Sequence, residues 1–179
     1  MPISLWLLPS AAARAPLVAS MEQLAAAHGL PSTDAHITLL GNSGDGLTPD
    51  EAAARLQALR GRGPVAISLT EVASGTDAEG RAPWNQSCVA VVNETDELIQ
   101  LQRLAADTFL GAEAAAAARP WAAPLCKPHL SLAYGNAPEV LGEAQLPEPF
   151  VADCVAVWDC NPGTLEGVLS WREIARVAL

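Results

Sequence analysis

The stretch "KPHLSLAYG", residues 127–135, decides how the fold is interpreted, because its residues alternate between two chemistries. Leu130 and Leu132 are apolar, whereas His129 and Ser131 beside them are polar. Alternation at a period of two is typical of a β-strand, whose successive side chains point to opposite faces of a sheet. We therefore expect a strand with one apolar face and one face that carries an imidazole and a hydroxyl.

A second stretch repeats this pattern in the first half of the chain. In "DAHITLLG", residues 34–41, His36 and Thr38 alternate with Ile37 and Leu39. The sequence contains 3 histidines, and two of them are followed at the second position by a hydroxyl residue. Because the two histidine strands lie in different halves of the chain, the pattern indicates a crude internal duplication.

The composition limits the classes of protein that the chain can represent. It has 179 residues, of which 50% are hydrophobic and 17% charged, as in a globular domain with a real core. The formal net charge of −10 argues against a protein that holds long nucleic acid by neutralising phosphates. A small anionic ligand remains compatible with this charge, because a few local donors can outweigh the average field.

The cysteines and the N-terminus bear on the cellular location. The 4 cysteines form no close Cys-x-x-Cys pair, which argues against a zinc site. Cys154 and Cys160 would form a disulfide if a bend joined them, but reduced thiols in a cytoplasmic protein are favoured. The N-terminal stretch lacks a basic region and Pro9 shortens its apolar run, so we expect a buried strand and no signal peptide. No segment reaches 18 apolar residues, so no membrane span is expected.

Periodicity and cap residues predict an alternation of strands and helices. One helix is marked by Thr48 as its N-cap, Pro49 as its first residue and Gly61 after its end, and Gly111 is suited to end another. The order of elements predicts an α+β fold with mostly antiparallel pairing. Predicted strands are 3–8, 35–40, 65–72, 86–92, the His129 strand, 150–160 and 167–179; predicted helices are 11–28, 48–61 and 95–111, with a further turn in 112–121; 75–83 and 136–149 are predicted connections.

Two imidazoles and two hydroxyls on two such strands suit one kind of chemistry. His36 and Thr38 project from the same face of their strand, as do His129 and Ser131, so the four side chains converge in one cleft if the two halves of the chain face each other. Imidazole titrates near neutrality, so one ring can act as a base while the other acts as an acid. Hydroxyls donate hydrogen bonds to phosphoryl oxygens without adding charge. This set suits metal-free hydrolysis of a cyclic phosphodiester.

Four stretches resemble the 2H phosphoesterases, a superfamily named for two His-x-[Thr/Ser]-x motifs, and more narrowly the plant- and yeast-type cyclic phosphodiesterases. The resemblance covers most of the chain in order, although 136–179 matches only in having closing strands. It implies a bilobal α+β fold in which two antiparallel sheets line a central cleft with helices outside. It also implies that residues 1–179 form a single domain of two pseudo-symmetric lobes. The four stretches are "SLWLLP" (4–9), "HITLLG" (36–41), "NQSCVAVV" (85–92) and "PHLSLAYG" (128–135).

The resemblance also implies an activity and a set of roles. It implies hydrolysis of ADP-ribose 1″,2″-cyclic phosphate and of nucleoside 2′,3′-cyclic phosphates to phosphomonoesters, without a cofactor or metal. By resemblance His36 and His129 are the catalytic acid and base, and Thr38 and Ser131 hold the phosphate. The resemblance favours His129 as the base, whereas the sequence itself is symmetric and does not choose.

Aromatic residues are the candidates for holding the nucleobase. Tyr134 lies five residues after His129, where the family commonly places an aromatic, but odd spacing puts it on the opposite face unless the strand ends or bulges near Gly135. Trp84 lies where a family aromatic can close over the ligand, or it anchors the loop on the core. The remaining tryptophans are interpreted as core or boundary residues: Trp6, Trp121, Trp158 and Trp171.

The expected partner is a small cyclic nucleotide phosphate, with no long nucleic acid, no membrane and a monomeric protein. Two alternatives stay open. One is a 2H enzyme that processes RNA ends bearing a 2′,3′-cyclic phosphate, and the other is a nucleotide-binding module without turnover. The third histidine, His28, is interpreted as a cap at a helix end, and Lys127 as a solvated side chain.

Overall fold

The computed structural model describes residues 3–43, 46–75, 83–111, 115, 127–135 and 138–179. Strands and helices follow one another in the order that an α+β fold requires. The strands are β1 (Ile3–Pro9), β2 (Ile37–Ser43), β3 (Val65–Ile67), β4 (Leu69–Ala73), β5 (Cys88–Val92), β6 (His129–Ala133), β7 (Phe150–Asp159) and β8 (Arg172–Ala178). The helices are α1 (Ala11–Ala27), α2 (Pro49–Leu56), α3 (Asp96–Leu110) and α4 (Pro138–Glu143), and 3₁₀ turns occupy Gln57–Leu59 and Glu166–Ser170.

The strands of the described part pair antiparallel in one continuous sheet, in the order β3-β7-β1-β2-β6-β5-β4, with β8 also on β7. The predicted pair of sheets therefore corresponds to two halves of one hydrogen-bonded path, which meet where Ile37 of β2 pairs with Leu130 of β6. Ser68 alone separates β3 from β4, although these strands lie at opposite ends of the path. The two ends of the sheet consequently come close together, and the α+β fold with a nearly closed antiparallel sheet is confirmed.

The two faces of the sheet have different neighbours. Along β1, Ile3, Leu5 and Leu7 belong to the main hydrophobic core, whereas Trp6 and Leu8 belong to a separate, smaller cluster. Each of the helices α1 to α4 contributes to the main core, so the helices cover that face. The smaller cluster that contains Trp6 and Leu8 lies on the opposite face. The helical core residues include Met21, Leu56, Leu98, Phe109 and Val140.

The predicted caps at Thr48 and Gly111 are confirmed, whereas the predicted helix 48–61 ends as an α-helix at Leu56 and is followed by the 3₁₀ turn Gln57–Leu59. Thr48 caps α2 in a reciprocal arrangement. Its hydroxyl accepts from the Glu51 backbone N–H (3.3 Å), and the Glu51 carboxylate accepts from the Thr48 backbone N–H (2.8 Å). Pro49 opens the helix, and Gly111 ends α3 with a φ of 81°.

Three segments differ from the sequence prediction. The predicted strand 65–72 is divided into β3 and β4, because its two parts pair with different partners, β7 and β5. The predicted connection 136–149 contains the short helix α4. The last strand begins only at Arg172, because Glu166–Ser170 forms a 3₁₀ turn.

The predicted turn at 112–121 and connection at 75–83 lie largely outside the described residues, as do Trp121 and Cys126. Cys88, Cys154 and Cys160 are free thiols. In the described part of the chain, every helix is too short or too polar to span a lipid bilayer.

We expect Thr48→Ala to lower the free energy of unfolding by about 1 kcal/mol, because it removes the hydroxyl that caps α2. Thr48→Ser keeps a hydroxyl and should retain most of that stability. Urea unfolding followed by circular dichroism measures both variants, and equal losses in the two would contradict a capping role.

Candidate active site

Strands β2 and β6 bring the two histidine motifs together. Ile37 pairs with Leu130, and continuing this antiparallel register by one residue places His36 opposite Ser131 and Thr38 opposite His129. Because Ile37 and Leu130 both point into the main core, the four polar side chains occupy the other face. In this register His36 and His129 are diagonal neighbours, and such neighbours lie about 7–8 Å apart. Burial is the main cause that lowers the pKa of His36, and the charge of His129 lowers it further.

Both imidazoles are held in the same way. The Nδ1–H of His36 donates to the backbone carbonyl of Asp34 (2.8 Å), and the Nδ1–H of His129 donates to that of Lys127 (3.0 Å). A carbonyl only accepts, so Nδ1 carries the hydrogen in each ring. A neutral ring of this tautomer therefore has a free lone pair on Nε2, where a proton can be taken up or released.

The environment of His36 is dry and aromatic. The side chain is 5% exposed, and its ring stacks on that of Trp6 with a centroid distance of 3.5 Å and an interplanar angle of 3°. Trp6 in turn stacks on Trp158, at a centroid distance of 4.2 Å. Burial lowers the pKa of His36 to about 4, although the Asp34 carbonyl and carboxylate oppose the fall.

His129 is the less enclosed of the two histidines. It is half-buried at the start of β6, opposite Val91 of β5. Burial lowers its pKa as well, and the hydrogen bond to the Lys127 carbonyl opposes the fall. The two motifs are therefore alike in sequence but unequal in their surroundings.

The two hydroxyl residues lie beside these rings. Ser131 is 6% exposed, and its Oγ donates to the Asn85 carbonyl at 3.2 Å. Thr38 is half-buried and pairs with Trp6 across the β1–β2 ladder. Burial raises the pKa of Tyr134, and a hydrogen-bond interaction with the Ser131 side chain opposes the rise. The Tyr134 hydroxyl consequently stays protonated next to Ser131.

Tyr134 lies on the site side of the sheet. Strand β6 ends at Ala133, so Tyr134 is released from the alternation that would have sent it to the other face. Its ring centroid lies 6.0 Å from those of Trp84 and Trp171. Gly135, with a φ of 120°, turns the chain next to it, and its N–H donates to the Trp84 carbonyl at 2.7 Å.

An aromatic wall therefore runs along the site, and we use this name for Trp6, Trp84, Tyr134, Trp158 and Trp171. The Trp171 ring links its parts, with centroids 6.0 Å from Trp6 and 6.2 Å from Trp84. The indole N–H of Trp171 donates to the Pro162 carbonyl at 3.0 Å, and this hydrogen bond helps to fix the position of the ring.

The sequence alone predicts Trp6, Trp158 and Trp171 as core or boundary residues, and their burial agrees with this. What the sequence missed is that Trp6 lies against His36. Its position between Leu5 and Leu7 places it on the opposite face from the main core, but sequence periodicity does not identify the strand beside β1.

The other two candidates lie as predicted. His28 is the C-cap of α1, and its Nε2 lies 3.0 Å from a carboxylate oxygen of Glu143. Lys127 is exposed. Among the described residues, no group of three or more His, Cys, Asp or Glu side chains is placed to hold a metal ion.

Comparison with known families agrees with this geometry. The family described as the 2′-5′ RNA ligase superfamily matches residues 8–159, a range that includes both histidine motifs. The chain belongs to the 2′-5′ RNA ligase superfamily. Members of this superfamily are 2H phosphoesterases, so membership indicates an enzyme of phosphodiester hydrolysis or RNA ligation.

Solved structures share the superfamily fold. TT0787 of Thermus thermophilus is 20% identical, with a TM-score of 0.60 over 100% of this chain and 98% of that one. Apo LigT of E. coli is 16% identical, with a TM-score of 0.54 over 99% of this chain and 96% of that one. LigT complexed with 3′-AMP is also 16% identical, with a TM-score of 0.53 over 99% of this chain and 97% of that one. No curated protein matched the chain.

We expect kcat/KM for a phosphodiester to be bell-shaped in pH, with its maximum below the reference imidazole value of about 6.5. Turnover by this pair requires one neutral and one protonated ring. Burial lowers the pKa of both rings, so both limbs of the profile move to more acidic pH. The limbs belong to the coupled pair rather than to either ring. Initial rates at low substrate concentration measure the profile, and a maximum on the alkaline side of neutrality would contradict this expectation.

Proposed function

We propose that the protein hydrolyses small cyclic phosphodiesters of nucleotides without a metal. The substrates are ADP-ribose 1″,2″-cyclic phosphate, converted to ADP-ribose 1″-phosphate, and nucleoside 2′,3′-cyclic phosphates, converted to nucleoside 2′-phosphates. The observation that carries the proposal is the pair of imidazoles on adjacent strands, each with Nδ1 bonded to a carbonyl and Nε2 left for proton transfer.

The reaction uses the four side chains together. The cyclic phosphate lies between the two rings, with the hydroxyls of Thr38 and Ser131 donating to its non-bridging oxygens. The Ser131 hydroxyl has one hydrogen, so it exchanges its bond to the Asn85 carbonyl for one to the phosphate. One Nε2 takes a proton from the attacking water as a new P–O bond forms. The other, protonated, gives its proton to the ribose oxygen as the old P–O bond breaks. The pair as a whole neither gains nor loses protons in a turnover.

We assign the acid role to His129 and the base role to His36, the reverse of what family resemblance favours. The acid must carry a proton, and the less enclosed His129 keeps one more readily in the free protein. The stack on Trp6 favours an imidazolium at His36 by about 0.5–2 kcal/mol. A fall of the His36 pKa from 6.5 to about 4 corresponds to roughly 3 kcal/mol, so desolvation outweighs the stack.

The aromatic wall supplies the nucleobase contact. Trp84 and Trp171 are both half-buried, so part of each ring remains available for stacking. Tyr134 is 3% exposed, which leaves little of its ring for a base, and we give it the role of orienting Ser131. Stacking on an aromatic is worth about 1–3 kcal/mol per base. That LigT has been solved with 3′-AMP, with ATP and with NADP+ supports nucleotides as the ligand class.

A second candidate is the processing of RNA ends that bear a 2′,3′-cyclic phosphate. Membership of a superfamily named for RNA ligation favours it. The net charge of −10 counts against it, because a long RNA is held mainly by neutralising its phosphates. Comparing 2′,3′-cyclic AMP with an oligonucleotide of the same terminal base separates the two, since only the second candidate requires the longer substrate to react faster.

We expect the protein to convert 2′,3′-cyclic AMP to the 2′-phosphate in the presence of EDTA, as measured by phosphorus NMR. His36→Gln and His129→Gln should each lower kcat by about 10²–10⁴-fold, because each removes a proton-transfer group. His28→Gln is the matched control, since it replaces the histidine that lies at a helix end, and it should leave kcat unchanged. Binding without turnover in the wild type would instead support a nucleotide-binding module.

The two roles are distinguished by a substrate whose leaving group needs no proton. On such a substrate His129→Ala should regain much of its lost rate, because the missing acid is no longer required. His36→Ala should stay slow, because the water still needs a base. Rescue of His36→Ala alone would restore the assignment that family resemblance favours.

A further inference from the structure

Arg14 and Asp34 form a two-pronged ion pair beside the site. Arg14 lies in the first turn of α1, and its Nε donates to Asp34 Oδ1 at 2.7 Å. A second nitrogen of the same guanidinium donates to Asp34 Oδ2. The pair leaves 8% of the Asp34 side chain exposed. A fork of this kind fixes the carboxylate in orientation as well as in position.

The backbone of the same aspartate holds His36. Residues 30–36 form neither helix nor strand, so no regular hydrogen-bond ladder fixes the Asp34 carbonyl that accepts from His36 Nδ1. The side chain of Asp34 is the part that is anchored to the helix layer, through Arg14. The direction of the carbonyl, and with it the tautomer and tilt of the imidazole, therefore depends on that anchor.

We propose that Arg14 is a positioning residue for His36. By holding Asp34, it keeps the Asp34 carbonyl directed at Nδ1, so that Nε2 of His36 faces the cleft as the proton acceptor. The inference rests on the proposed function in one respect, which is that His36 accepts a proton during the reaction.

The surrounding charges add a second consequence. The Asp34 carboxylate raises the pKa of His36. The Arg14 cation is bonded to that carboxylate and has the opposite charge, so we expect it to oppose this effect. The other charged groups in range are Arg176 and Glu173 of β8, which act on Arg14, and His129, which acts on His36. Arg176 also interacts with the Asp34 carboxylate through its charge. Loss of Arg14 leaves the carboxylate uncompensated, so the pKa of His36 rises and the acidic limb of the kcat/KM profile moves toward neutral pH.

The chain offers a matched control. Arg176 and Glu173 form the same kind of fork on β8, with Nε donating to Oε1 at 2.7 Å and a second nitrogen to Oε2. Arg176→Met therefore removes an arginine–carboxylate pair of similar geometry from the same neighbourhood, but neither partner accepts a hydrogen bond from a histidine among the described residues.

The experiment measures kcat and KM on 2′,3′-cyclic AMP, together with the ¹⁵N NMR signals of the His36 ring. For Arg14→Met we expect kcat to fall by about 10–100-fold with little change in KM, because misplacing a reacting group affects the chemical step more than binding. The wild-type ring should show the Nδ1–H tautomer alone, and Arg14→Met should add the Nε2–H tautomer. Arg14→Lys keeps the positive charge but cannot form the two-pronged bond. Its kcat and its tautomer ratio should therefore lie between those of the wild type and of Arg14→Met.

Arg176→Met should keep the wild-type tautomer and kcat, whatever its effect on unfolding. It should shift the pH profile less than Arg14→Met does, because Arg176 is bonded to Glu173 and not to Asp34. If Arg14→Met matches Arg176→Met in all three, the positioning role is overturned. If Arg14→Met does not fold, Arg14→Lys and Asp34→Asn carry the test, and wild-type ring signals in both overturn it equally. A wild-type protein that turns over no cyclic phosphate would refute the proposed function instead, because the tautomer measurement does not require activity.

Discussion

The pairing of β2 with β6 is the constraint on which the rest of the structure depends. Ile37 and Leu130 meet in the main core, and this contact joins the two halves of the sheet. Because side chains alternate at a period of two, a slip of either strand by one residue would send its imidazole into the apolar core and its apolar neighbours into the cleft. Burial of the apolar face and assembly of the polar face are therefore the same event, and the site cannot form without the correct register.

The proposed reaction requires a protein with a net charge of −10 to hold a phosphate, and this register supplies the groups that would do so. The groups that the register gathers are two hydroxyls and two imidazoles, and burial holds the pKa of both rings below the ordinary value. In the proposed complex, hydroxyl dipoles and one proton shared by the two rings would face the anion, while the acidic surface charges would lie in water, where salt screens them within about 8–10 Å. Under this proposal local donors decide binding, and the overall charge acts mainly against long polyanions.

What the sequence predicts well is local. The period-two strands and the caps at Thr48 and Gly111 depend on residues a few positions apart, and the structure bears them out. What it could not predict depends on long-range pairing. The division of β3 from β4 follows from the closing of the sheet, and the bond from Arg14 to Asp34 joins residues 20 apart. The sequence could not decide on which face of the sheet Tyr134 lies for the same reason, because the end of a strand is set by its partner strands rather than by its own residues.

The unequal surroundings of the two histidines follow from strand order. An internal duplication supplies two equivalent motifs, but the sheet gives each of them a different second neighbour. Strand β2 has β1 on its far side, so His36 receives the face of Trp6 and a nearly dry environment. Strand β6 has β5 there, so His129 lies opposite Val91 and stays half-buried. A pair of identical rings needs such a difference before one can hold the proton while the other accepts one, and here the fold supplies it without a change in either motif.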